Sequence, residues 1–267
     1  VAQKIREKGG TILMNCTVNQ VDCKDNNIAG IGYIDHLTGE KKSIEGDYFF
    51  STMPVKDLIT AMGPQIPEKI RTISSGLQYR DFITVGLLLT KLKLKNENNR
   101  NVLIKDNWIY IQEKTVQVGR LQIFNNWSPA LVGDPDNVWI GLEYFCNEGD
   151  ELWNKNNQDF IRFAISELSS INIIDPKDVI DSTIIRMPKT YPAYFGSYAE
   201  FETVRKFTDS FSNLFLIGRN GMHRYNNQDH SMLTAISAVS NIIQGIETKD
   251  NIWTINTEED YHEEKNQ

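Results

Sequence analysis

The 267-residue chain carries 28 Lys and Arg against 35 Asp and Glu, a formal net charge of −7. With 40% hydrophobic and 24% charged residues it has the composition of a globular protein, long enough for one large or two small domains with a sizeable core. The acidic balance and the lack of a basic stripe with interleaved aromatics argue against nucleic acid as a partner, and no apolar run reaches the length that spans a bilayer.

Nor does any segment read as a signal peptide. The three cysteines, Cys16, Cys23 and Cys146, are odd in number and lack metal-ligand spacing. Cys16 and Cys23 could occupy neighbouring β positions, but buried free thiols in a reducing cytoplasm are the expectation.

Residues 1–8 read as the last turns of a helix, ended by Gly9-Gly10. Residues 11–22 are β-rich, and Asn26-Asn27 turns into a second strand over 28–35. Thr38-Gly39-Glu40 turns again into 41–45, and the apolar run 47–52 has strand length. Pro54 opens a helix to Met62, with Pro at the first helical position.

Pro64 and Pro67 punctuate a short helix to about Ser74, and Leu77-Gln78-Tyr79-Arg80 leads into a continuous apolar strand over 82–89. The Asn-rich run 91–100 reads as a solvated loop. β-like runs at 108–112, 120–126 and 138–146, parted by Gly119 and Gly133-Asp134-Pro135, suit an antiparallel sheet with one face free to cover a ligand. Residues 159–171 form a helix with Phe160, Phe163, Ala164 and Leu168 on one face. A strand over 178–187 then meets the run from Pro188 to Tyr194, and a helix is expected near 200–209.

The last segment is the most informative. A strand over 214–217 stops at Gly218-Arg219, a polar loop spans 220–228, and a long helix follows. Asp229 or Ser231 can cap it, Met232, Ile236, Val239 and Ile243 recur at helical spacing, and Gly245 closes it. Such a helix start presents unpaired N–H groups and partial positive charge, which suits an anionic or carbonyl-rich ligand. An ordinary strand–loop–helix connection has the same pattern. Beyond it, the chain turns polar into an acidic tail.

Other candidates are scattered. Arg120, Asn125, Asn126 and Trp127 cluster at a strand end: Arg suits bidentate diphosphate contacts and Trp offers a ring-stacking face, although the same run makes a plain turn. His223 and His230 are the histidines of the loop, either a proton shuttle or ties that hold the loop. No metal site is expected, because the Asn-rich loop between the two histidines opposes a shared helix face. Ser231 lacks the strained elbow of a catalytic nucleophile.

The run GRNGMHRYNNQD, residues 218–229, resembles the C-terminal signature of UDP-galactopyranose mutases, G-R-x-x-x-Y-x-Y-x-D-M-[DH]. Gly218, Arg219, Tyr225 and Asp229 match it. His223 stands for the first Tyr, Gln228 for the Met, and Asn227, which cannot ionise, for the first Asp. The run also resembles the closing FAD motif of the amine oxidase and protoporphyrinogen oxidase superfamily. In that superfamily, a segment like GGTILMNCTV brings a Val backbone to the FAD adenine, here Val18, which would otherwise be a core valine. DYFFSTMP resembles the piece that returns to the flavin domain, Tyr79-Arg80 a shared Y-R step, and Tyr191-Pro192 the Tyr-Pro step ahead of the Gly-Arg motif. The likeness is continuous from Tyr191 onward and loose over 64–181.

This resemblance implies an α+β fold: an incomplete, Rossmann-type FAD-binding domain with an inserted substrate domain built on an antiparallel sheet plus helices. The expected boundaries are 1–62 and 186–250 for flavin-domain segments, 63–185 for the substrate domain and 251–267 for the tail. The superfamily's N-terminal G-x-G-x-x-G does not occur in this sequence, so the chain reads as the C-terminal part of a longer flavoprotein, binding FAD weakly by itself. FAD-binding residues would be Val18, Gly218, Arg219, Asp229, His230, Ser231 and Met232, with amides of 230–232 on the flavin C2 carbonyl. Arg219, His223, Tyr225 and Asn227 are the catalytic candidates; Tyr79, Arg80, Arg120, Trp127, Arg186, Tyr191 and Tyr225 are the candidates on the substrate side. Three functions stay open: reduced-flavin chemistry on a nucleotide sugar such as a UDP-sugar, an FAD-dependent oxidase or desaturase, and a non-enzymatic ligand-binding or interaction domain that has lost the flavin.

Overall fold

Three strands near the start of the chain, Cys16–Lys24, Asn27–Asp35 and Lys41–Glu45, form an antiparallel sheet in sequence order. The first turn is tight, with Asp25 in the left-handed region that a short polar side chain tolerates (φ 52°). The computed structural model describes residues 1–94 and 103–256. The expected loop over 91–100 thus lies mostly, and the tail from 257 wholly, outside the described residues.

The described residues divide into two units, one of Val1–Gln78 with Pro192 to Asn256, the other of Tyr79–Tyr191. The division falls at Gln78/Tyr79 and Tyr191/Pro192, whereas the sequence reading places it at 62/63 and 185/186. Helices Val55–Ala61 and Glu68–Ser75 pack on each other and stay with the first unit. Both start on a proline, but Pro54 and Pro67 are the N-caps, not the first helical residues.

In the first unit, strand Phe49–Ser51 pairs in parallel with Leu214–Leu216, bringing together segments 165 positions apart. Asn213 joins this pair to the antiparallel sheet. Its Nδ2 donates to the carbonyls of Ile28 (2.8 Å) and Asp47 (3.1 Å), and its Oδ1 accepts from the Ile28 amide (2.8 Å). A helix over Phe201–Asp209 and the long helix Gln228–Gln244 belong to the same unit. So does a short helix, Asp250–Trp253, which overlaps the start of the expected acidic tail over 251–267. Trp253 is buried, and Lys249 is anchored just ahead of it by donating to the carbonyls of Asp209 (3.2 Å), Phe211 (2.6 Å) and Leu214 (2.7 Å). Those bonds compensate a cation that burial otherwise disfavours.

The second unit is built on a five-stranded sheet with spatial order Trp108–Tyr110, Arg120–Ile123, Val138–Cys146, Tyr79–Leu89, Val179–Pro192. The first four strands are antiparallel to their neighbours, as expected for a sheet with one face packed on a core. Ile83, Val85, Leu87, Leu121, Ile140 and Leu142 alternate onto the buried face and join Phe160, Ala164 and Leu168 of helix Asn157–Ser170 in one cluster. Asn156 caps that helix, accepting from the amides of Gln158 (2.9 Å) and Asp159 (3.3 Å). The expected strand over 120–126 ends at Ile123, and Phe124–Trp127 makes a helical turn instead. The strand expected over 178–187 continues to Pro192.

Candidate functional site

The two parallel strands of the first unit both end at one place. After Leu216, the Ile217 amide donates to the Ser51 carbonyl (3.0 Å), and the chain turns sharply at Gly218 into a single helical turn, Gly218–Gly221. Gly218 has φ +74°, a left-handed conformation that costs a side chain but not glycine. Gly221 is required for a different reason: a Cβ there would run into the Ser51 carbonyl oxygen. The turn therefore lies directly on the end of the neighbouring strand. The carboxyl ends of parallel strands are where open α/β sheets receive ligands.

The loop that follows is braced by its own polar groups. The Gly218 amide donates to Thr234 Oγ1 (3.0 Å), and Asn226 Nδ2 donates to the Gly218 carbonyl (3.3 Å). Arg219 donates from Nε to the Asn226 carbonyl (2.9 Å) and from Nη2 to Asn227 Oδ1 (3.4 Å), with its guanidinium 4.6 Å from the centre of the Tyr225 ring. The Tyr225 amide donates to the Tyr194 hydroxyl, and Asn256 Nδ2 donates to the Tyr225 carbonyl (2.8 Å).

Helix Gln228–Gln244 starts one residue earlier than the sequence suggests. Its N-cap is Asn227, not Asp229 or Ser231. Asn227 and His230 form a reciprocal capping box: the Asn227 side chain accepts from the His230 amide, and His230 Nδ1 accepts from the Asn227 amide at 3.4 Å. The Ser231 amide is bonded to the Asn227 carbonyl (2.9 Å). Amides 230 and 231 are therefore already taken, and Met232 follows the regular helical pattern. The donors a ligand could reach are on the two residues just before, Gln228 and Asp229, whose amides the helix cannot satisfy itself. Asn227, Gln228 and Asp229 are all exposed, so the helix dipole opens onto free space.

His223 is fully buried in the left-handed region (φ 47°), its ring 5.7 Å from both Tyr198 and Phe201 and its Nε2 3.1 Å from the Ala193 carbonyl. Burial lowers its pKa from 6.5 to about 4, so it is neutral near pH 7 and Nε2–H donates to that carbonyl. It ties the loop to the chain around Ala193 and has no open path to solvent.

A cavity of about 530 Å³ adjoins the strand ends, lined by residues including Val18, Val21, Phe50, Ser51, Thr52 and Leu58. Thr52 of the cavity wall and Ser231 of the long helix each lie 3.9 Å from the position a Gly218 Cβ would take. The buried oxygens Ser51 Oγ, Asn220 Oδ1 and Asn226 Oδ1 have no hydrogen-bond partner in the protein. A buried oxygen of this kind is ordinarily completed by a water or a ligand atom, so these three fit a polar group brought to the turn. Ser51, Asn226 and Gly221 escape sequence reasoning because the contacts that define them arise between segments far apart in the chain.

The substrate-side candidates fall in the second unit, except Tyr225. Tyr79 and Arg80 are half-buried at the start of their strand. Arg120 is 2% exposed. It donates from Nε to Glu143 Oε2 (2.8 Å), from Nη2 to the same carboxylate and from Nη2 to the Tyr191 hydroxyl (3.1 Å), and its guanidinium lies 4.4 Å from the centre of the Trp108 ring. Its fork is thus engaged inside the protein, where the sequence reading offers it to a diphosphate. Arg186 likewise braces backbone, donating to the carbonyls of Trp153 (2.8 Å) and Lys155 and to Asn157 Oδ1 (2.5 Å). Asn125 and Asn126 hold neighbouring loops through the carbonyls of Asn137 and Ile104, both at 2.8 Å. Trp127 is 45% exposed and meets Trp108 edge to face at 5.4 Å. Among the described residues no group of three or more His, Cys, Asp or Glu could hold a metal ion, and no helix is long and apolar enough to cross a membrane.

The chain superposes on the crystal structure of reduced UDP-galactopyranose mutase with a TM-score of 0.75 over 95% of its length, at 20% identity. The fold is that of the mutase. The chain spans about half of that protein, 51% of its length. Weaker likenesses extend to a protein assigned as a protoporphyrinogen oxidase from Exiguobacterium sp. 255-15 (TM-score 0.54, 14% identity, 84% of this chain and 46% of that one) and to an oxidoreductase from Methanosarcina mazei (0.50, 13%, 82% and 47%). No protein-family model and no curated protein matches the sequence. At these identities the mutase-type fold is what the likeness establishes.

Proposed function

We propose that this chain supplies the ring-holding part of an FAD-dependent flavoprotein that acts on a nucleotide sugar. The observation that carries this reading is the open first turn of helix Gln228–Gln244, set at the ends of two parallel strands behind a left-handed glycine. The amides of Gln228 and Asp229 suit the carbonyl edge of an isoalloxazine, and the helix dipole favours negative charge there. The orphaned oxygens of Ser51 and Asn226 fit a ligand that brings its own donors. Arg219, held over Tyr225, stiffens the loop and adds positive charge beside the helix start. When bound and reduced, a flavin supplies a nucleophile or an electron pair; the protein's part is to place it and exclude competing reactions.

A nucleotide-sugar substrate rests on the motif shared with the mutases and on the extent of the mutase superposition, which exceeds that on the two oxidoreductase-type structures. The test uses the protein in its natural length. Purified protein should be yellow, and after dithionite reduction it should interconvert UDP-galactopyranose and UDP-galactofuranose, read by chromatography. Gln228→Pro removes one amide donor at a position where a helix accepts proline, whereas Gln228→Ala keeps it. Losing one hydrogen bond of about 1 kcal/mol should weaken flavin binding roughly fivefold in the proline variant alone. A colourless protein, or equal flavin affinity in the two variants, would refute the reading. Oxygen consumption with an amine and no sugar interconversion would replace it with an oxidase.

A further inference from the structure

Residues 249–256, KDNIWTIN, come shortly after the glycine that ends the long helix and read as polar chain, yet Lys249, Ile252, Trp253 and Asn256 are all buried. A short polar segment is ordered where its side chains are tied down. Three ties hold this one within the first unit. Lys249 anchors its start through the three carbonyls described above. Asn251 and Asn241 of the long helix exchange two side-chain amide bonds, each 2.8 Å. Trp253 donates from Nε1 to Asp209 Oδ1 (3.3 Å), with the Arg205 guanidinium 5.0 Å from its ring centre.

The same segment also meets the ligand loop, which lies 29 to 32 positions earlier in the chain. Arg224 donates from Nη1 to the Trp253 carbonyl (2.7 Å) and to the Asn256 carbonyl, closing the carbonyl end of helix Asp250–Trp253 with a cation. Asn256 Nδ2 returns a bond to the Tyr225 carbonyl (2.8 Å). The Tyr225 amide donates to the Tyr194 hydroxyl, so side chains from two other segments hold this residue's backbone. Its ring lies 4.6 Å from the Arg219 guanidinium, which in turn donates to Asn227, the cap of the long helix. Contacts thus run without a gap from Asn256 through Tyr225 and Arg219 to the helix start.

We infer that residues 249–256 are a strap that positions the ligand loop: Asn256 and Arg224 set where Tyr225 stands, and through it where the Arg219 charge lies beside the helix start. A site group keeps its working place when the residues behind it lock it there. Bonds between near neighbours of the loop, Arg219 to Asn226 and Asn226 to Gly218, would travel with the loop if it moved. Ties to other segments resist that movement, and the strap supplies those at Arg224 and at the Tyr225 carbonyl. The loop's geometry stands whether or not a flavin is bound; the bearing of the Arg219 charge on a reduced flavin rests on the function proposed above.

Hydrogen exchange read residue by residue by NMR, on the protein in its natural length without added flavin, tests it. Asn256→Ala removes the donor to Tyr225, and Asn256→Leu removes it while keeping the volume, in case the smaller side chain leaves the unit unfolded. Asn213→Ala, which acts on Ile28 and Asp47, is the control for a general loosening of the unit. Losing one ordinary hydrogen bond should speed exchange at the Tyr225 and Asn226 amides by about fivefold in both Asn256 variants, with the Ile28 amide unchanged. Asn213→Ala should show the reverse. Rates at 225 and 226 that stay the same, or that rise only together with Ile28, would overturn the inference. In protein that carries FAD, Asn256→Ala should also lower the flavin's reduction potential, because the Arg219 charge that favours the reduced anion is held less firmly. An unchanged potential would overturn the link from strap to Arg219. A colourless protein removes the flavin reading and leaves the exchange rates to decide the strap.

Discussion

Replacing Arg120 by Met should unfold the second unit far more readily than any loss of ligand contact would suggest. Arg120 and Glu143 are 2% exposed each, and their ion pair is completed by the Tyr191 hydroxyl and by Gln122, which donates to Glu143 Oε1. Taking out one partner leaves a buried carboxylate without its counter-charge, which costs about 3–5 kcal/mol. Gln122 still donates to Glu143, so the lower end, about 3 kcal/mol, is expected. For a unit of this size that corresponds to a fall in Tm of roughly 15 °C. Replacing both residues, Arg120→Met with Glu143→Leu, should return most of the loss, because a matched apolar pair of similar volume is often no less stable than a buried ion pair. The assay is urea unfolding followed by tryptophan fluorescence, since Trp108 lies over the Arg120 guanidinium and reports on the same contact. A loss below about 1 kcal/mol in Arg120→Met, the level of an exposed pair, would refute the structural role and return Arg120 to the list of ligand contacts.

Other expectations can be measured in the same way. The His223 pKa falls from 6.5 to about 4, so the unfolded chain takes up the proton first; stability is fully present above pH 6.5 and is lost as pH falls towards 4, by about 3 kcal/mol in all. Urea midpoints between pH 7 and 4 should fall less steeply in His223→Asn, which keeps a left-handed backbone, and equal slopes would contradict the burial argument. Gly221→Ala should lower stability by about 1–3 kcal/mol, because its Cβ meets a backbone oxygen that cannot rotate away; an unchanged melting curve would show that the turn can shift. Asn213→Ala strips partners from the Ile28 amide and carbonyl and the Asp47 carbonyl and should cost about 3 kcal/mol, with faster hydrogen exchange at Ile28 as the local signature.

Much of the local structure was legible because turn chemistry and apolar periodicity act over a few residues. The strand Val138–Cys146, the helix Asn157–Ser170 and the glycine that ends Gln228–Gln244 all stand close to where those signals put them. Errors gathered at boundaries where a local preference was outvoted. Pro54 sits outside its helix, Asn227 takes the cap that Asp229 and Ser231 could also have filled, and the strand after Val179 runs past Pro188. For the site, the Gly218-Arg219 turn and the helix behind it could be read in advance, because a strand that meets a glycine and then a capped amphipathic run is a local pattern.

What the sequence alone determined, then, is where chain elements begin, which way each alternates and that a helix start follows the Gly218 turn. Only the tertiary structure decided which donors at that start remain open, because the capping box takes the His230 amide and leaves Gln228 and Asp229. It also decided that Arg120 faces Glu143, since that pairing depends on strand register across 23 positions. And it decided that the apolar stripe of the last long helix points outward: periodicity reveals that a helix has an apolar face, but what covers that face depends on chain segments packed against it from elsewhere.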